Sequence, residues 1–79
     1  MKLKDAVAKR LQYLLNNPKI SQYQLFKRTG IPQSTISTIK NGKADDIKLS
    51  TIYQICIGFG IEFMDFFNDD NLKIENLED

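Results

Sequence analysis

The chain has 79 residues, 42% of them hydrophobic, and a formal net charge of +1 from eleven basic and ten acidic side chains. That suffices for one small domain and is too little for a second independent core. It has no apolar run of about 18 residues to span a membrane, and with no His and a lone Cys56 it offers neither a structural zinc site nor an internal disulfide.

In chain order, the opening MKLKDAVAKR lacks the apolar centre of a signal peptide, so a cytoplasmic location is the default expectation. Leu3, Val7, Leu11 and Leu14 recur at helical spacing and predict a first helix from about Leu3 to about Leu15. Lys4, Lys9, Arg10 and Gln12 fall largely outside its apolar stripe, and Asn16-Asn17-Pro18 ends it. Ser21 is a good N-cap, and Gln24 three residues on completes a capping-box pattern. The second helix that starts there turns Leu25 inward, places Phe26 beside it and stops at Gly30, which takes the left-handed conformation most easily. Pro32 pushes Ile31 towards extended geometry, so a turn follows. Gln33, Ser34 and Thr35 open the third helix, Ile36 and Ile39 share its inner face, and Asn41-Gly42 ends it. The outer face carries Ser34, Ser37, Thr38 and Lys40. Small side chains able to hydrogen-bond are what insertion into a DNA major groove requires, and two short helices in this order form a helix-turn-helix.

Beyond the polar connection KADDIKL, Ile52, Ile55, Cys56 and Phe59 predict a fourth helix from about Leu49 to about Phe59, with Gly58 and Gly60 weakening its end. Cys56 lies on that apolar stripe and reads as a packing residue, because the chain has no His to activate it. A short fifth helix from about Glu62 to Phe67 carries Phe63, Phe66 and Phe67 inward and leaves Met64 exposed or at an interface. The fold class is therefore all-α, a compact five-helix bundle over residues 1–68. Residues 69–79 form an acidic tail that frays, folds back or pairs with a second subunit through Leu72, Ile74 and Leu77. Charge is polarised: residues 1–61 carry ten Lys or Arg against three acids, a net of +7, and residues 62–79 carry a net of −6. Such asymmetry favours approach to a polyanion with one face leading. Asp45-Asp46 and Asp69-Asp70 read as solvated loop charges. Nothing in the pattern points to an enzyme, a cofactor or a metal.

The segment SQYQLFKRTGIPQSTISTIKNGK resembles the helix-turn-helix of the Xre/Cro family and the lambda-type phage repressors, and LSTIYQICIGFGIEFMDFF is similar to the family's fourth and fifth helices. The resemblance covers about residues 3–67. It implies a lambda-repressor-like bundle that binds double-stranded DNA sequence-specifically, acting as a transcriptional regulator, a repressor on a palindromic operator, as a homodimer and without a cofactor. By the same resemblance Gln33, Ser34, Ser37 and Thr38 contact bases, and Gln22, Thr35, Asn41 and Lys43 contact the phosphate backbone, with Lys40 adding charge there. The expected dimer surface is the fifth helix and tail, around Met64, Leu72, Ile74 and Leu77. The sequence departs from the family at four places. Phe26 stands where a small residue is usual, Thr29 replaces an apolar one, and Leu15 replaces a basic one. Asp45 and Asp46 occupy a connection that is often basic, and facing DNA they should weaken binding unless they cap the next helix. The alternative from another class is a protein-interaction module, such as an antitoxin or antirepressor, whose acids dock a basic protein partner.

Overall fold

The computed structural model describes residues 1–78; Asp79, the last residue of the predicted tail, lies outside them. Five α-helices follow one another: α1 (Leu3–Asn16), α2 (Gln22–Thr29), α3 (Gln33–Lys40), α4 (Leu49–Phe59) and α5 (Phe63–Phe67). Two short 3-10 turns, Asp70–Leu72 and Ile74–Asn76, complete the chain, and the described residues contain no strand.

Local chemistry sets several helix ends. Ser21 and Gln24 close the capping box in both directions: the Gln24 N–H donates to Ser21 Oγ at 3.0 Å and the Ser21 N–H to Gln24 Oε1 at 2.9 Å. Gly42 at φ +70° ends α3 in a Schellman arrangement. Its N–H donates to the Ile39 carbonyl, and the Lys43 N–H reaches back to that of Thr38. Gly60 ends α4 in the same way, with the Ile61 N–H on the Cys56 carbonyl.

The core draws on every helix: Val7, Leu11, Leu14 and Leu15 of α1, Leu25 of α2, Ile36 and Ile39 of α3, Ile52, Ile55 and Cys56 of α4, and Phe66 of α5. Ile31 in the turn joins them. The buried face of α1 is wider than the predicted stripe, since Ala6, Ala8 and Leu15 are buried while Leu3 is 47% exposed. Leu15, which displaces the family's basic residue, is a core side chain. Cys56 is buried as expected, and loss of hydration pushes its thiol pKa up against a smaller opposing pull from Arg10.

One expectation is corrected and one extended. Phe67 is not an inward residue: it is 37% exposed and packs edge-on against Phe63 and Phe66. Gly58 does more than weaken α4, for it is buried where α2 crosses. A Cβ there would stand 2.5 Å from Thr29 Cγ2 and 2.8 Å from Leu25 Cδ1. The close approach of α2 therefore relies on a glycine of α4, and Phe26 has room to lie half-buried, tilted against Tyr23. Arg10, outside the apolar stripe of α1 as expected, is nevertheless tied down. Its Nε donates to the Phe66 carbonyl at 2.9 Å, its Nη2 to the Asp65 carbonyl at 2.5 Å, and its Nη1 stands 3.8 Å from the Asp69 carboxylate. With 12% of its side chain exposed, it joins α1 to the end of α5 and to the tail. Residues 69–78 fold back on α1: Leu72 packs on the core, the Met1 amino group donates to the Asn76 carbonyl, and the Glu78 N–H donates to that of Met1.

Candidate nucleic-acid interface

The third helix is held from below and behind. Ile36 and Ile39 are fully or almost fully buried, which fixes its rotation about its own axis, and Gln12 Nε2 of α1 donates to the Lys40 carbonyl at 2.7 Å. Thr29, a departure from the family, explains the turn: its hydroxyl donates to the Leu25 carbonyl at 2.7 Å and accepts the Ile31 N–H at 3.1 Å. An apolar residue would leave that N–H without this partner. The turn thus sets α3 against α2 through one hydroxyl and the buried Ile31.

With that rotation fixed, Gln33, Ser34 and Thr38 are exposed and Ser37 and Thr35 are half-buried. The four residues expected to contact bases differ in what they still offer. Gln33 and Ser34 have no side-chain partner among the described residues. The Thr38 hydroxyl already donates to the Ser34 carbonyl at 2.7 Å, so only its acceptor capacity is left. Ser37 Oγ accepts from Asn41 Nδ2 at 3.2 Å, which leaves its hydroxyl proton available. No side chain caps the start of α3. Open helix N-termini favour anions, because unpaired N–H groups point outward there.

Ser34, Thr35, Thr38 and Lys43 line one open groove of about 670 Å³ together with the α3–α4 connection and the start of α4. The residues expected to contact phosphate do not all share it. Lys43 is in the groove wall, Lys40 and Asn41 lie at the end of α3, and Gln22 stands half-buried at the start of α2. The groove also includes Lys48, Thr51 and Gln54, which the sequence analysis did not place there. Their signal was weak, since a Lys after an acidic pair and polar residues on a predicted helix read equally well as solvated surface.

Charge near the groove is sparser than the sequence count suggests. Lys4 is paired with Asp45 at 3.2 Å, Arg10 holds α5 and the tail, and Arg28 donates to the Gly58 carbonyl. Lys40, Lys43 and Lys48 have no acidic partner among the described residues. Asp45 and Asp46 do not cap α4, whose N-cap residue is Lys48 without a side-chain bond. The described residues hold no cluster of three or more metal-ligating side chains, and no helix is long and apolar enough to cross a membrane.

A family model described as a Cro/C1-type HTH DNA-binding domain matches residues 10–71, which takes in α2 to α5 and the second half of α1. The chain is similar to the uncharacterized HTH-type transcriptional regulator YozG of Bacillus subtilis (strain 168), with 39% identity over 51 residues. That match covers 65% of this chain and 61% of the relative, so the chain spans less than two thirds of the curated protein. No solved structure matches it.

Proposed function

The chain belongs to the Cro/C1-type helix-turn-helix DNA-binding domain family, and on that premise we propose that it is a sequence-specific transcriptional regulator, acting in the cytoplasm as a repressor on a palindromic operator. One observation carries the reading: the small polar face of α3 is exposed and uncrowded on a helix whose opposite face, Ile36 and Ile39, is buried. Gln33 and Ser34 are assigned the main base contacts, because their side chains are unengaged. An exposed Gln can bond an adenine edge in bidentate fashion, which is worth about 1–3 kcal/mol of discrimination. Ser37 and Thr38 add single contacts from the groups they still have free. Gln22, Thr35, Lys40, Asn41 and Lys43, with Lys48, hold the backbone and fix register without reading sequence.

Dimerisation belongs to this proposal, but on a revised surface. Leu72 packs on the core and Leu77 is half-buried, so the tail offers mainly Ile74. A row of exposed apolar residues lies instead on α4 and α5. Leu49, Tyr53 and Ile57 repeat every fourth position and are 64%, 54% and 58% exposed, and Met64 is 76% exposed. We assign the two-fold interface to this face, which carries no charge along α4. The competing protein-interaction reading loses support at Asp45, whose carboxylate is already paired within the chain.

Selection of bound sequences from a random duplex pool at physiological salt tests the proposal. Enrichment of a two-fold-symmetric site, abolished by Gln33→Ala with Ser34→Ala, is the expected result. Binding without enrichment overturns it.

A further inference from the structure

The α3–α4 connection forms a ridge between two hollows. On one side is the groove that Ser34, Thr35 and Thr38 share. On the other is a smaller apolar hollow of about 270 Å³, floored by Val7, Ile52 and Phe67. Asp45 and Asp46 line both. The two acids are not equivalent. Asp45 meets the Lys4 ammonium at 3.2 Å, so much of its field is cancelled locally. Asp46 is exposed and has no partner among the described residues, and it stands in the groove wall with Lys43 and Lys48, which have none either. The unpaired charges of the wall, Lys43, Asp46 and Lys48, can neutralise backbone phosphates through the two lysines and repel them through the acid between them.

Resting on the DNA-binding reading, we infer that Asp46 is a charge brake: it weakens the sequence-independent hold of this domain on the phosphate backbone, so that stable binding depends on base contacts from α3 and on a second copy of the chain. The physical ground is that non-specific affinity is essentially electrostatic, growing with each phosphate that Lys or Arg neutralises. One opposing charge within a Debye length of about 10 Å removes part of that gain, and salt screens its effect. Asp45 cannot act in the same way while Lys4 holds it. Helix α4 gains nothing from either acid as a cap, so its stability does not require the charge at Asp46.

The test is titration of a labelled random-sequence duplex, by fluorescence anisotropy, with the unaltered chain and with Asp46→Asn, Lys43→Gln and Asp65→Asn. Asp46→Asn is expected to bind about three- to tenfold more tightly at about 50 mM salt, with the gain shrinking towards about 200 mM. Lys43→Gln should bind more weakly. Asp65→Asn makes the same change in net charge on α5 and should move affinity less than twofold. An Asp46→Asn affinity unchanged or weakened while Lys43→Gln still loses binding overturns the brake and leaves the DNA reading standing. Equal gains from Asp46→Asn and Asp65→Asn also overturn it, since net charge then explains both. If none of the four proteins binds at low salt, the DNA reading fails and the brake with it.

Discussion

At Gly58 two opposed effects can be weighed. Inside a helix, alanine is favoured over glycine by about 1 kcal/mol, so Gly58→Ala would stabilise an isolated α4. Here the new methyl group would meet Thr29 Cγ2 and Leu25 Cδ1 well inside van der Waals contact, and both belong to the α2 packed against it. Overpacking of this kind costs about 1–3 kcal/mol. Because Thr29 also holds the turn before α3, it has little freedom to retreat. Gly58→Ala should therefore lower stability by a net of about 1–2 kcal/mol, read as a fall in urea midpoint. A raised midpoint would mean that α2 and α4 separate easily. Lys19 has the opposite sign. It sits at φ +70°, the left-handed region where an L side chain costs about 1–2 kcal/mol. Lys19→Gly relieves that strain and should raise stability by about 0.5–1 kcal/mol once the greater freedom of unfolded glycine is subtracted. Lys19→Ala, which stays strained, should give no such gain in the same denaturation experiment.

Among the elements, α2 and α3 were the most legible in sequence, because their ends are set by neighbours. Ser21 with Gln24, and Gly42 after Asn41, act within a few residues, and the buried pair Ile36 and Ile39 sets which face of α3 turns outward. Which of those outward hydroxyls are already engaged could not be read, since the Thr38 and Ser37 bonds depend on side-chain rotation. The partners of Arg10 were not legible either: the Asp65 and Phe66 carbonyls it binds are 55 and 56 residues away, and helical spacing carries no trace of them. That clasp closes the end of a five-residue helix too short to persist alone. Two charge-assisted bonds at a largely buried site make Arg10→Met a loss of about 2–3 kcal/mol, with the alkyl stem retained. Hydrogen exchange should then show lost protection over residues 69–78 while α3 keeps its own. Equal loss in both segments would mean that the clasp supports the whole bundle and not only the tail.

For the whole molecule, dimensions and surface decide how it can meet an operator. Its extents are 34 × 23 × 21 Å, and reading helices of a two-fold pair must lie about 34 Å apart, one turn of DNA. Two copies side by side along their 23 or 21 Å axes have centres about 22 Å apart, so that spacing requires each reading helix to lie outward of its copy's centre. A single eight-residue α3 with three unpaired lysines nearby is expected to give modest affinity, so the proposed pair would matter energetically as well as geometrically. Linking two half-sites through one protein dimer can raise affinity about 10²–10⁴-fold without a new base contact. On the proposed interface Ile57 is the discriminating residue, because it is exposed in the monomer and lies outside the buried core. Ile57→Lys is expected to leave folding almost untouched, and on the proposed interface it would set a lysine from each copy in the apolar seam. Sedimentation should show a shift from dimer to monomer, and binding to a symmetric site should fall by at least about tenfold. Binding to an isolated half-site should change little, since Ile57 is absent from the groove beside α3. Should Ile57→Lys remain dimeric with full affinity for the symmetric site, the α4 face is not the interface, and exposed Ile74 of the tail becomes the surface to alter next.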